Sequence, residues 1–177
     1  MPLPPWHEVA IGKEHDRAGF DCGDSALNEF LCKHARKNHE RGSSKTFLAV
    51  PDDAPFTILG FYSLSPASVS YERTPEIARK GLARYDVPVF RLARLAVALP
   101  FQGQQLGGKL LLAAGRRALL VASEVGGVAL LIDAKHDRAA AWYASYGAMP
   151  LLDTPLSLLL PLATVKAALE QNGSTNG

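Results

Sequence analysis

Between an apolar run that ends at Val97 and a long Leu- and Ala-rich segment lies a turn made almost wholly of glutamine and glycine, Gln102-Gly103-Gln104-Gln105-Leu106-Gly107-Gly108-Lys109. Where a buried strand passes into a helix, backbone N–H groups and the helix N-terminus converge on an anion. Glycines let the main chain come close to it, and Lys109 adds charge at the rim. The chemistry is phosphate or pyrophosphate binding, although the same kind of turn also serves as a plain structural connection, and the residues alone leave both open. A second set is cationic. Lys33, Arg36 and Lys37 share one side of an early helical pattern, Arg41 and Lys45 continue it, and Arg91 and Arg94 sit in the apolar run before the turn. Such residues supply phosphate contacts along a nucleic-acid backbone, or else form a solvated helix face.

Other candidates carry less. His7, His15, His34, His39 and His136 lack metal-ligand spacing with cysteine or carboxylate partners, so no metal site is expected. Cys22 and Cys32 lie outside any zinc or disulfide pattern and read as reduced thiols. Asp133-Ala134-Lys135-His136-Asp137 follows a buried strand, where substrates approach, and reads equally well as a polar connection. Trp142 and Tyr146 offer a stacking surface or core packing.

The elements that must position these groups follow from periodicity. Trp6 to Ile11 reads as a first strand. Asp24 or Ser25 caps a helix whose buried face is Leu27, Phe30, Leu31 and Ala35. Thr46 to Val50 and Ile58 to Ser65 read as a hairpin, and Thr74-Pro75-Glu76 as the start of a short helix with Thr74 as cap. Arg91 to Val97 is a strand apolar on both faces, as in the centre of a covered sheet. Leu106 to about Val125 is a long helix stopped by Gly126-Gly127, and Val128 to Ile132 is a buried strand. Asp137 caps a helix over Arg138 to Tyr146 that ends at Gly147. Strands around Met149 to Leu152 and Leu156 to Leu160 and a helix from Thr164 to Gln171 complete the chain.

At 177 residues, 47% hydrophobic and 20% charged, the chain reads as one packed domain over residues 1–171 with a polar tail, 172–177. A net charge of +2 does not by itself demand a nucleic-acid partner. The opening Met1-Pro2-Leu3-Pro4-Pro5 lacks the pattern of a signal peptide, and no run approaches the ~20 apolar residues of a membrane helix. A cytoplasmic protein that does not engage membranes is expected.

The turn Gln102-x-x-Gln105-x-Gly107, after Leu95-Ala96-Val97 and before a helix, resembles the signature Q/R-x-x-G-x-G/A of the GNAT acetyltransferases. It matches at the first and last positions and departs at Gln105, where the family has glycine. Gln105 therefore either narrows the pyrophosphate pocket or adopts a backbone angle unfavourable to a residue with a side chain. The resemblance implies acetyl-CoA, held by Leu95, Ala96, Val97, Gln102, Gly103, Gln104, Gln105, Gly107, Gly108 and Lys109. It also implies that the main chain of Leu95 to Val97 pairs with the pantetheine arm and that a backbone N–H there polarises the thioester carbonyl. Ala139-Ala140-Ala141-Trp142-Tyr143-Ala144-Ser145-Tyr146-Gly147 looks like the family's late helix. It aligns Tyr143 with the tyrosine that relatives use near the thiol: a phenol of reference pKa ~10 can donate a proton to a leaving thiolate. The other reading is a packing aromatic. Ala98 stands where many relatives carry an acid.

Over nearly the full length, Phe20-Asp21-Cys22-Gly23 with Ala26 to Leu31, Arg91 to Val97, and Leu158 to Ala163 look like the GNAT toxins of bacterial toxin–antitoxin pairs. That resemblance implies an α/β fold, a central mixed sheet with a splayed strand pair flanked by helices. It also implies acetylation of the α-amino group of an aminoacyl-tRNA, a ribbon-helix-helix antitoxin and a possible homodimer. Lys33, Arg36, Lys37, Arg41, Lys45, Arg91 and Arg94 would then be substrate contacts. The alternatives are a small-molecule or protein N-acetyltransferase, or a non-catalytic CoA-binding module.

Overall fold

Asp24 accepts hydrogen bonds from the backbone N–H groups of Ala26 and Leu27 and so starts α1, Ser25–Lys33. Phe30, Leu31 and Ala35 are buried as the spacing predicts, but the helix is not continuous. His34 leaves the helical region (φ −123°), closing α1 through its N–H to Phe30 O and accepting the first bond of α2, Ala35–Arg41, from Asn38 N. Gly42 ends α2 in the left-handed conformation.

The structure, a computed structural model, describes residues 1–174. Strand β1 is Trp6–Ala10, β2 Lys45–Pro51 and β3 Gly60–Val69. They run antiparallel, with Trp6 opposite Pro51 and Lys45 opposite Leu64. A single turn of helix, α3 (Glu76–Arg79), precedes β4 (Val87–Val97). Helix α4 spans Leu106–Val125, within the predicted bounds, and leads to β5 (Ala129–Asp133) and α5 (Asp137–Ala144). Then come β6 (Met149–Pro150), β7 (Ser157–Pro161) and α6 (Leu162–Ser174). Helix α6 starts before and runs past the expected Thr164 to Gln171; residues 175–177 of the expected tail lie outside the described residues.

Two predicted caps are displaced. Pro75, not Thr74, stands at the N-cap of α3, because the Thr74 hydroxyl donates instead to Ser70 O at 2.9 Å. His136, not Asp137, caps α5, its Nδ1 accepting from Ala139 N at 3.1 Å. An imidazole nitrogen does the work usually given to Ser, Thr, Asp or Asn.

The sheet order is β1-β2-β3-β4-β5-β7-β6. β4 and β5 are parallel and the pairs β5–β7 and β6–β7 antiparallel, which makes the mixed sheet that was expected. The β4–β5 ladder covers Val89–Leu92 against Ala129–Ile132, while β4 itself runs on to Val97, as in a strand pair that splays.

By packing, the chain divides into two compact units: Met1–Ser65 with Arg94–Leu111, and Pro66–Ala93 with the residues from Leu112 on. The first has a core of Ile11, Phe20, Phe30, Leu31, Leu48, Val50, Phe61 and Ala96. Phe61 meets Phe20 edge-on at 5.5 Å and stacks with Phe30 at 6.4 Å. The second unit closes over Val69, Val87, Val89, Ala129, Leu131, Leu151 and Leu159. Each fully buried Val, Leu, Ile or Phe side chain contributes on the order of 1.5–3 kcal/mol. Among the described residues no helix is long and apolar enough to cross a membrane.

Candidate functional site

The end of β4 and the turn after it lie in the first unit. Ala96 is buried, Leu95 and Val97 are half-buried, and Ala98 N donates to Leu59 O at 2.8 Å. Gly60 makes this close approach possible: a Cβ there would stand 2.9 Å from Ala96 O and 2.9 Å from Leu110 Cδ1. A short 3-10 turn over Leu99–Phe101 then delivers the chain to Gln102.

Each glutamine of the turn has its own place. Gln102 Nε2 donates to Val97 O and to Cys22 O, both at 2.9 Å, so this side chain ties the end of β4 to the segment before α1. Gln104 is half-buried and hydrogen-bonded by its side-chain amide to backbone groups of residues 1–3 and 100. Gln105 has φ +71°, and among the described residues it alone, apart from glycine, lies at positive φ. The backbone angle that the glutamine-for-glycine departure demanded is therefore adopted, at a cost of roughly 1–2 kcal/mol for a residue bearing a Cβ. Gln105 O accepts the backbone N–H of Lys109, and Leu106, Gly107, Gly108 and Lys109 form the first turn of α4. Gly103, Gln105 and Lys109 are exposed. A flexible, glycine-lined approach to the N-terminus of a long helix, with an exposed lysine on it, fits a pyrophosphate.

Tyr143 lies on α5 in the second unit, with 9% of its surface exposed. Burial pushes its pKa up to about 12. Its ring meets Trp142 edge-on at 4.9 Å, and Trp142 meets Tyr146 at 5.1 Å. Trp142 remains partly exposed, and its ring packs against both tyrosines of this helix.

The seven cationic candidates do not form one unpaired stripe. Lys33 pairs with Glu29 at 3.3 Å and Arg36 with Glu40 at 2.8 Å, each one helical turn away. Lys45 Nζ donates to His39 O. Lys37 and Arg41 are exposed, and among the described residues neither has an acidic partner. On β4, Arg91 is exposed and pairs with Asp133 at 3.3 Å. Arg94 instead lies with its guanidinium carbon 3.7 Å from the centre of the Phe30 ring. Strand alternation puts Arg91 and Arg94 on opposite faces. Burial lowers the Arg94 pKa, and the guanidinium remains cationic at neutral pH.

Several contributors escaped the sequence. Phe30 was read as core only, yet it is also the platform for Arg94. Gly60 carried no motif. Tyr71, in the second unit, lies under Arg79 at 4.7 Å and Arg84 at 6.0 Å; the three arginines between Tyr71 and Tyr85 were the available signal. Cys22 is half-buried and its thiol is pushed up by burial, the reverse of a reactive cysteine. Among the described residues no His, Cys, Asp and Glu side chains gather in a group able to hold a metal.

Strand order, the long helix after β4 and the glutamine-glycine turn before it are together the arrangement of a GNAT-type acyltransferase. No family model matches the sequence. Individual proteins do. The chain is 33% identical over 159 residues to the tRNA-acetylating toxin of Mycobacterium tuberculosis, covering 90% of this chain and 93% of that one. It is 29% identical over 163 residues to the probable toxin TacT of Sinorhizobium fredii, covering 88% and 90%. In fold it is similar to AtaT, solved in complex with acetyl-methionyl-tRNAfMet, with a TM-score of 0.86 over 93% of this chain and 99% of that one at 24% identity. The chain belongs to the GNAT toxins of bacterial type II toxin–antitoxin systems, the family of the tRNA-acetylating toxins.

Proposed function

We propose that this protein transfers the acetyl group of acetyl-CoA to the α-amino group of an aminoacyl-tRNA and so blocks translation. The observation that carries the reading is 33% identity, over 90% of this chain, to a tRNA-acetylating toxin. It is supported by the phosphate-type turn at the head of α4. Acetyl-CoA supplies a thioester carbonyl. The turn from Gln102 to Lys109 holds its pyrophosphate, and the main chain of Leu95–Val97 aligns the pantetheine arm and offers an N–H to the carbonyl oxygen. The amine nitrogen forms a bond to the carbonyl carbon while the C–S bond breaks; CoA leaves with a proton and the amine loses one.

Tyr143 is assigned the donor to the departing sulfur. A phenol at about 12 is a weaker acid than a thiol at ~8.5, so Tyr143 assists by hydrogen bonding as charge grows on sulfur. The attacking amine needs little help: an α-amino group of pKa ~7.7–8.0 is substantially neutral at physiological pH, whereas lysine at ~10.4 is not. That difference favours aminoacyl-tRNA over a protein lysine and suits a strand that carries Ala98 instead of an acid. Of the cationic candidates, Lys37 and Arg41 are exposed without an acidic partner among the described residues and are assigned to phosphate first; Lys33, Arg36, Lys45 and Arg91 are already engaged, and Arg94 lies over Phe30. A ribbon-helix-helix antitoxin, a homodimer and a cytoplasmic location complete the proposal on family grounds.

The test is incubation of the protein with radiolabelled acetyl-CoA and a total charged-tRNA pool, with deacylated tRNA as control. Label confined to charged tRNA supports the proposal. Label on small amines or protein lysines alone, with charged tRNA left untouched, overturns it.

A further inference from the structure

We propose that residues Met1–Pro5 are a strap that holds the acetyl-CoA turn in its binding conformation, with Gln104 as the positioning residue through which the strap acts. The inference rests on the reading of that turn as the cofactor site. Leu3 N donates to Gln104 Oε1 at 2.6 Å, and Gln104 Nε2 donates to Met1 O at 2.6 Å. One amide side chain thus engages the strap in both directions. A longer contact joins Gln104 Nε2 to Pro100 O at 3.4 Å. Further along, Asp52 N donates to Pro5 O at 3.0 Å, so the strap is tied at its far end to the loop after β2.

The sequence is built for this. Residues 2, 4 and 5 are proline and have no N–H, so Leu3 supplies the single amide donor between positions 2 and 5, and that donor goes to Gln104. Three prolines also fix φ and leave the segment little conformational freedom to lose, so it meets the turn already extended. The clamped residue is the critical one: Gln104 lies between Gly103 at φ +78° and Gln105 at φ +71°. Of the two flanking residues, Gln105 bears a side chain and so resists the left-handed region. Holding the residue between them restrains both. With its donor and acceptor both occupied, Gln104 serves the ligand through its main chain and through the shape it imposes.

Leu3→Pro removes the one N–H and fixes φ at that position, while Leu3→Ala keeps the N–H and controls for the loss of the side chain. Hydrogen exchange of the amides from Gly103 to Lys109 reads the strap without any ligand, and calorimetry with acetyl-CoA reads its effect on binding. Loss of a single hydrogen bond of ordinary strength predicts that Leu3→Pro exchanges faster over the turn and raises the Kd for acetyl-CoA about fivefold, with kcat at saturating acetyl-CoA within about twofold of the wild type. Leu3→Ala should do neither. Gln104→Glu, which keeps the acceptor and loses the donor, should fall between them, and it stands in if Leu3→Pro does not fold. Unchanged exchange over the turn in both Leu3→Pro and Gln104→Glu overturns the strap. Faster exchange in a protein whose wild type binds no acetyl-CoA overturns instead the cofactor reading beneath it.

Discussion

The Tyr143 phenol stays protonated far beyond neutrality because burial disfavours its charged form. If it donates to the leaving sulfur, Tyr143→Phe should lower turnover at least tenfold while leaving the Kd for acetyl-CoA within about twofold, the split expected when a transition-state donor is lost. Turnover within about twofold of wild type would reduce Tyr143 to a packing aromatic. The same shift sets the pH profile. The amine must be neutral, so the rate rises with pH through ~7.7–8.0, and the phenol, ionising only near 12, adds no fall by pH 9. Steady-state rates from pH 6 to 9 should rise and level without a second limb. Gln105 makes the complementary case. Gln105→Gly should remove left-handed strain and stabilise the protein by about 1 kcal/mol, a rise in Tm of about 2–4 °C by calorimetry. Its angle was legible in advance because the family signature has glycine there. The long-range bonds of Gln102 to Cys22 and of Gln104 to Met1 and Leu3 were not, because an amide side chain takes any backbone partner the fold brings up, and these lie 80 to 103 positions away in sequence.

At the level of elements, the parts fixed by local rules were readable. Helix α4 has the predicted bounds because an apolar period, a glycine-rich start and a Gly126-Gly127 stop all agree. The break at His34 was invisible, since the apolar spacing from Leu27 to Ala35 continues across it. The caps of α3 and α5 were misassigned because local side-chain hydrogen bonds, Thr74 to Ser70 O and Ala139 N to His136 Nδ1, decided between adjacent residues. Close packing between strands was hidden as well, and Gly60 is the sharpest instance. Gly60→Ala would push a methyl group against Ala96 O, and it should destabilise by about 1–3 kcal/mol in urea unfolding. Because Ala96 lies in the segment assigned to pantetheine, acetyl-CoA binding should weaken in the same variant.

For the whole molecule, charge matters through what is left unpaired. Lys33, Arg36 and Arg91 already face carboxylates within the chain, so they release few counterions on binding RNA. Lys37 and Arg41 are exposed without acidic partners among the described residues. Binding of charged tRNA should weaken steeply with salt, and each of Lys37→Ala and Arg41→Ala should reduce the slope of log K against log salt by about 1. Filter binding between 50 and 200 mM salt decides it; an unchanged slope removes that residue from the interface. The net charge of +2 concealed this, because composition counts charges that the fold has already paired.

The division into two units has a consequence for timing. The first is made of Met1–Ser65 together with Arg94–Leu111, so its core residues Ala96 and Ala98 are translated long after Phe61. A ribosome must release the chain through Leu111 before that unit can close, and the second unit waits for residues from Leu112 onward. Interrupted synthesis, or a premature stop codon ahead of Leu111, therefore yields neither unit whole. For a member of the tRNA-acetylating toxins, neither unit can therefore be whole until the ribosome making it has passed Leu111.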